Sequence, residues 1–206
     1  MARSKTRPTK QSESVVRAMS MVGFRPEKPS SAPPDWKPML IQYRLEAGFN
    51  GGSDPFAPHP ASWSFGRRTP TCDCSGFVAW CCGYSRYHED FPLYGGYVNT
   101  DSMLQDATGQ KEWFEEVEYP EPGCLIVYGA IYKGTVRTRV GHVGLVTGVA
   151  AAEWDPRNPQ FDRLLVTHCS SGNVKRTGAA IQQTTGSIWQ KSGAKLVRYR
   201  HFFGEV

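Results

Sequence analysis

TCDCSGFVAWCCG, residues 71–83, joins a short polar segment to an almost wholly apolar run that ends at a glycine. The apolar run predicts a buried helix over Ser75 to Cys82, and Gly83 marks its end. Cys74 then stands where a loop enters this helix. That position matters chemically, because the N–H groups and the positive dipole end at a helix start favour a thiolate.

The start of this helix also suits the stabilisation of an oxyanion, which acyl transfer requires. Its N–H groups can stabilise the oxyanion that forms when a thiolate attacks a carbonyl carbon. We therefore predict Cys74 as a nucleophile, with Asp73 and Ser75 as capping residues beside the oxyanion. The alternative is a small buried thiol that only fills space, which is the commonest fate of a free cysteine.

Two histidines stand inside runs that otherwise look like buried strands. His142 lies in VGHVGLV, residues 140–146, and His168 lies in LLVTHC, residues 164–169. A buried imidazole needs a polar partner, so each ring is a candidate partner for the other. We predict His142 as the base for Cys74 and His168 as the residue that orients it. A satisfied core histidine is the alternative for either position.

The order of the predicted elements indicates the fold class. Helices come first and β-rich runs follow, which is typical of an α+β domain with helices packed on an antiparallel sheet. The predicted strands are Cys124 to Tyr128, Val140 to Val149, Leu164 to Cys169 and Lys195 to Phe203.

The N-terminal part of the chain has a different composition. Residues 1–35 begin basic and polar and end rich in proline, which predicts an extension containing at most one short helix, Val15 to Val22. Residues 36–206 are then the main domain. Its first element is a helix over Trp36 to Ala47, and residues 50–70 form a loop.

Composition narrows the possible partners. The chain has 206 residues and a net charge of +5, much of it within the first ten residues, so nucleic acid is not an expected ligand. No apolar run is long enough to span a membrane, and no secretory signal is recognised. The six cysteines show neither a disulfide framework nor zinc-site spacing, so we expect most to be reduced and no metal or organic cofactor to be bound.

Three blocks in order resemble the NlpC/P60 family of cell-wall cysteine peptidases. They are DCSGFV (73–78), GHVGLV (141–146) and VTHCSS (166–171), and PGCLI (122–126) is similar to the strand that precedes the family's histidine block. The resemblance covers Trp36 to Phe203. It implies a papain-like fold, with the nucleophile at the start of a central helix and Cys74, His142 and His168 as the triad.

The sequence departs from the family pattern at two places. Cys124 follows Gly123 where an aspartate is usual, and Trp63 stands where members have a tyrosine that hydrogen-bonds near the nucleophile. Trp63 is therefore expected at the substrate site. The resemblance implies an endopeptidase acting on peptidoglycan stem peptides, most commonly after D-glutamate and before the diamino acid. An amidase that cuts the sugar–peptide link is the nearest variant.

Other functions remain open at this level. A papain-like domain can be inactive and only bind, and the same triad can serve an acyltransferase that accepts an amine. With neither a secretory signal nor a wall-binding module, we expect synthesis in the cytoplasm and specialised delivery to the cell wall or periplasm, as an antibacterial effector or a phage-borne enzyme. A secretion partner or an immunity protein would accompany such a route.

Overall fold

The computed structural model describes residues 10–23, 42–43, 71–84, 88–149, 154–190 and 193–202. The predicted loop at residues 50–70, and Trp63 within it, lie outside these ranges. Within them, no helix is both long and apolar enough to cross a membrane.

The described part of the chain contains helices and strands in a mixed order. The helices are α1 (Gln11–Ser20), α2 (Cys74–Cys82), α3 (Thr100–Thr108) and α4 (Ser171–Thr177). The strands are β1 (Gln42–Tyr43), β2 (Thr71–Cys72), β3 (Phe114–Glu116), β4 (Leu125–Tyr128), β5 (Ile131–Lys133), β6 (Val136–Arg139), β7 (His142–Val149), β8 (Leu164–Cys169), β9 (Ile181–Thr185) and β10 (Lys195–Tyr199).

A six-stranded sheet organises the molecule, in the order β3-β10-β4-β7-β8-β9, and every neighbouring pair is antiparallel. The prediction of an α+β fold with an antiparallel sheet is confirmed. Each of the four predicted strands is present, as β4, β7, β8 and β10. β5 and β6 form a separate hairpin, and β1 and β2 form a small parallel pair.

Helix α2 is the buried helix expected from its apolar sequence. It begins at Cys74, all nine of its residues are buried, and it packs between α1 and strands β7 and β8. The Asp73 carboxylate accepts a hydrogen bond from the Gly76 N–H at 2.8 Å and so caps the helix start. Gly83 ends the helix at φ 75°, a backbone conformation that glycine adopts without strain.

Helix α1 belongs to the same core although it lies in the predicted N-terminal extension. It begins at Gln11, earlier than the predicted short helix. Ala18 and Met21 are 0% and 1% exposed, and both join the cluster formed by α2 and the sheet. This segment of residues 1–35 therefore packs on the main domain, because Val15, Ala18 and Met21 recur at helical spacing and form one apolar face.

Strand β1 contradicts part of the predicted helix over Trp36 to Ala47. Gln42 and Tyr43 pair in parallel with Thr71 and Cys72. The helix prediction is wrong at these two residues, and the remainder of that range lies outside the described residues. Local spacing favoured a helix here, but backbone pairing with the segment that leads into α2 outweighs that weak local preference.

The sheet separates two apolar clusters. One cluster holds α1, α2 and side chains such as Val143 and Leu145, and the other holds Val146, Val166 and Trp189. Consecutive strand residues point to opposite faces, so each strand contributes to both clusters. His168 and Cys169, the last two residues of β8, consequently face opposite sides of the sheet.

Candidate functional site

The two histidines that the sequence singles out are in direct contact. The His142 Nε2 atom lies 2.9 Å from the His168 Nδ1 atom, although the residues are 26 positions apart in the chain. His142 begins β7 and His168 is the penultimate residue of the neighbouring strand β8. The rings are 9% and 1% exposed, so this hydrogen bond is shielded from water.

Hydrogen bonding beyond the pair favours one arrangement of the two ring protons. The Thr184 hydroxyl donates to the Thr185 carbonyl oxygen at 3.1 Å, and its Oγ1 lies 3.1 Å from His168 Nε2. A hydroxyl has one proton to donate, so when that proton is donated to the Thr185 carbonyl, Thr184 accepts the proton of His168 Nε2–H. In this arrangement His168 Nδ1 accepts from His142 Nε2–H. The same order leaves His142 Nδ1 with its lone pair, which is the atom a base requires.

Trp189 holds both rings in place. Its indole stacks on His142 with centroids 5.3 Å apart and planes at 19°, and it meets His168 edge-on at 5.1 Å and 78°. Gly144 makes this packing possible: a Cβ there would lie 3.1 Å from the Trp189 Cη2 atom and 3.1 Å from the His168 Cβ atom. The fully buried indole excludes water from one side of the pair.

Burial sets the charge state of the pair. Desolvation lowers the pKa of His142 to about 4. The pKa of His168 is lowered well below its ordinary range, first by burial and then by its neighbours His142 and Arg176. Both rings are therefore neutral at neutral pH, which agrees with a hydrogen bond between one donor and one acceptor nitrogen.

Cys74 lies at the inner end of a small cleft of about 130 Å³ that Asp73 and Ser75 also line. The thiol-bearing residue is 5% exposed and is the first residue of α2. The Ser75 hydroxyl donates to the Asp73 carboxylate at 3.4 Å. Asp73 and Ser75 thus both lie at the start of the helix and in the wall of the cleft.

The opposite side of the cleft is built from the start of α3 and from the β5–β6 hairpin. Thr100 and Asp101 contribute from α3, Tyr132 and Arg137 from the hairpin, and Gly141 from the residue just before His142. A Cβ on Gly141 would overlap the Thr100 hydroxyl, so the glycine allows α3 to approach the histidine strand.

Tyr128 lies beside His142, and the sequence did not identify it as a site residue. It is paired with His142 across β4 and β7, and the two rings are 6.0 Å apart. Burial raises the pKa of its phenol, the nearby Arg139 opposes that rise, and Cys74 adds to it. The phenol is thus neutral at neutral pH. The only sequence feature that could have pointed to Tyr128 was its position at the end of the predicted strand 124–128.

Thr184, Trp189 and Asn173 were also missed. The Asn173 side chain donates to the His168 carbonyl at 3.0 Å and to the Ala180 carbonyl at 3.1 Å, and it is fully buried. It therefore supports the strand end that carries His168. All three residues lie in segments whose local sequence has no strong pattern.

The remaining cysteines lie in the core. Cys81 and Cys82 are buried in α2, where desolvation raises the pKa of both thiols, and Cys124 is buried in the cluster around Trp189. Within the described ranges, no three His, Cys, Asp or Glu side chains gather into a group that could hold a metal ion.

No protein-family model, curated protein or solved structure matches this chain. The site is therefore characterised by its own geometry. Cys74 stands at the capped start of a buried helix. His142 begins β7, on which that helix packs, and is hydrogen-bonded to His168 on β8.

Proposed function

We propose that this protein is a cysteine hydrolase with a papain-like arrangement of the NlpC/P60 kind, in which Cys74 is the nucleophile, His142 the base and His168 its orienting partner. The hydrogen bond between His142 Nε2 and His168 Nδ1 is the observation that carries the proposal. It leaves His142 Nδ1 as a lone-pair acceptor and holds the ring by its other nitrogen. A neutral imidazole keeps a lone pair on one nitrogen, and with Nε2–H in the hydrogen bond to His168 that lone pair is on Nδ1.

In the proposed acylation step, His142 Nδ1 takes the thiol proton and the Cys74 sulfur attacks the carbonyl carbon of an amide. The negative charge that develops on the carbonyl oxygen is stabilised at the start of α2, by the helix dipole and its first N–H groups. The imidazolium then gives the proton to the leaving amine. The C–N bond breaks and an acyl thioester remains on Cys74.

Deacylation uses the same residues in reverse. His142 Nδ1 accepts a proton from a water molecule, whose oxygen attacks the thioester carbonyl. The carboxylic acid product leaves and the Cys74 thiol is restored. His168 keeps its hydrogen bond to His142 Nε2 during both steps, so the ring stays oriented while its charge changes.

The proposed substrate is the stem peptide of peptidoglycan, with cleavage between D-glutamate and the diamino acid. The three sequence blocks that resemble the NlpC/P60 family support this choice. The cleft agrees with it, since the exposed Arg137 on the β5–β6 hairpin lines the same cleft as Cys74 and offers a cation there, and stem peptides carry free carboxylates.

The test is mass spectrometry of muropeptides released from purified sacculi. The wild-type protein is expected to release defined fragments, Cys74→Ala none, and Cys81→Ala, a buried cysteine of the same helix, the wild-type fragments. Fragment masses identify the bond: free peptide stems indicate an amidase, and cleaved stems on the sugar indicate an endopeptidase. Amine-linked products in the presence of an added amine indicate acyl transfer.

A binding domain without activity predicts a different result. In that case the wild type and Cys74→Ala leave the sacculi equally intact, and Cys74 resists thiol-specific alkylation at neutral pH as strongly as the core cysteines do. This pair of results would refute the hydrolase proposal.

A further inference from the structure

Two cysteines outside the proposed triad lie close together beside it. The Cys72 and Cys169 sulfur atoms are 3.0 Å apart, although the residues are separated by 97 positions in the chain. The Cys169 thiol also donates to the Cys72 carbonyl oxygen at 3.4 Å. A disulfide has a sulfur–sulfur length of about 2.05 Å, so a closing movement of about 1 Å would join these atoms.

The position of this pair gives it structural importance. Cys72 ends β2, two residues before Cys74, and Cys169 ends β8, one residue after His168. β2 belongs to a two-stranded pair that is separate from the six-stranded sheet. A bond between the two sulfur atoms would attach the segment leading into α2 to the main sheet at the histidine strand.

We propose that Cys72 and Cys169 form a disulfide when the chain folds under oxidising conditions, and that this bond fixes the segment carrying Cys74 against the strand carrying His168. The inference does not depend on the proposed hydrolase activity. It requires only that the two thiols meet in the folded chain, as their sulfur–sulfur distance indicates.

The reaction is a thiol–disulfide exchange with an external disulfide, such as oxidised glutathione or an oxidised thiol oxidoreductase. One cysteine thiolate attacks a sulfur of the donor, forms a mixed disulfide and releases one donor thiolate. The second cysteine thiolate then attacks the protein sulfur of the mixed disulfide and releases the other donor thiolate. The protein loses two protons and two electrons, and the donor disulfide becomes two thiols.

Burial determines when this exchange takes place. Both cysteines are 0% exposed, and desolvation together with the neighbouring Cys169 raises the pKa of Cys72 well above its ordinary value. The reduced Cys72 thiol in the folded protein is therefore protonated and neither sulfur is accessible, so the pair reacts slowly. The bond forms during folding, before the pair is covered, and is afterwards protected from reductants by the same burial.

The experiment compares the full-length chain refolded with a mixture of oxidised and reduced glutathione and the chain refolded with excess reductant. Both samples are unfolded, alkylated without reduction and digested with trypsin. Tryptic peptide 164–175 contains Cys169 alone, whereas peptide 69–86 contains Cys72 and three other cysteines. The oxidised sample is expected to contain these two peptides joined, at a mass two hydrogens below their sum, and the reduced sample is expected to contain neither joined peptide nor missing alkylation.

Variants identify the sulfur within peptide 69–86. Cys72→Ala should abolish the cross-link, while Cys74→Ala and Cys81→Ala should retain it. Six alkylated cysteines after oxidative refolding of the wild type, or a cross-link that persists in Cys72→Ala, would overturn the proposal. Neither readout uses activity, so a protein that forms this bond and leaves sacculi intact refutes the hydrolase proposal alone.

Thermal unfolding tests the fixing role. The bond closes a long loop, and the oxidised wild type should unfold roughly 10 °C above the reduced wild type. Cys72→Ala should unfold at the same temperature under both conditions. Equal midpoints for the two forms of the wild type would contradict the structural role of the bond, and this comparison stands even where the variant folds poorly.

Discussion

Strand β8 ends with two neighbouring residues that serve opposite faces of the sheet. His168 points to the face that holds Trp189 and forms a polar chain with His142 and Thr184. Cys169 points to the face that holds α2 and meets Cys72. One face thus holds the hydrogen-bonded histidine pair. The other face holds the segment that leads into Cys74.

This division has a physical basis in strand geometry. Because the side-chain period of a strand is two, a single strand delivers adjacent residues to two separate environments. On the histidine face, each buried polar group needs a hydrogen-bond partner because water is excluded. On the thiol face, close packing is sufficient. The two faces should therefore respond differently to substitution and to pH.

Removing the base should have the largest effect. His142→Ala removes the proposed base for Cys74, and we expect the rate of sacculus digestion to fall by about 10²–10⁴-fold. His201→Ala, which changes an exposed histidine that contacts the Glu112 carbonyl, should retain the wild-type rate. Equal rates of sacculus digestion for the wild type and His142→Ala would contradict the proposed role of His142 as the base.

Lowering the pH should destabilise the histidine face. The folded-state pKa of His142 is lowered to about 4 from an ordinary value of 6.5. Between these values the unfolded chain binds a proton that the folded chain does not, so the free energy of unfolding falls as pH drops through this window. The contribution is roughly 3 kcal/mol at neutral pH.

Urea unfolding at a series of pH values measures this contribution. The wild type should lose stability between pH 6.5 and 4 more steeply than His142→Gln, and His88→Gln, which lies outside the pair, should follow the wild type. Parallel curves for the wild type and His142→Gln would mean that burial does not keep the ring neutral.

Filling the space above Gly144 should destabilise the fold by an intermediate amount. A Cβ there would lie 2.5 Å from the Val166 Cγ1 atom and 3.1 Å from the Trp189 Cη2 atom, so Gly144→Ala should lower the free energy of unfolding by about 1–3 kcal/mol. Gly148→Ala is the matched control on β7, because its nearest neighbour is a Leu165 methyl at 3.2 Å that can move. A larger loss for Gly148→Ala in urea unfolding would show that the histidine face is not tightly packed.

Breaking the end of the polar chain should have the smallest effect. Thr184→Val removes the acceptor of His168 Nε2–H while preserving shape, and kcat should fall by about tenfold through loss of the fixed tautomer. Thr184→Ser keeps the hydroxyl and should restore the rate. Should Val and Ser behave alike in kcat while the unfolding midpoint stays unchanged, Thr184 has no positioning role.

Much of the architecture could be predicted because it depends on local pattern. The apolar run that became α2 is bounded by a capping aspartate and a glycine, and the runs that became β4, β7 and β8 are bounded by loop residues. The exceptions are informative. The helix expected around Gln42 and Tyr43 was overridden by pairing with a strand some 30 residues later, and α1 joined the core from a segment that looked like an extension.

The candidate site was predictable only in part. Cys74, His142 and His168 were recognisable because a polar or reactive residue inside an apolar run demands a reason. Thr184 and Trp189 lie in polar or mixed segments where they break no pattern, so nothing local distinguishes them. Tyr128 was visible as a strand residue, but its approach to Cys74 depends on how β4 pairs with β7.

The amino-acid sequence alone predicts the helix that begins at Cys74, the strands that carry the two histidines, and the α+β class with an antiparallel sheet. These features are predictable because propensity, capping and apolar periodicity act over a few residues. The tertiary structure alone brings His142 to His168, packs Trp189 on both rings and places Cys72 beside Cys169. These contacts join residues up to 97 positions apart, and such contacts arise from strand register and layer packing, which no local segment encodes.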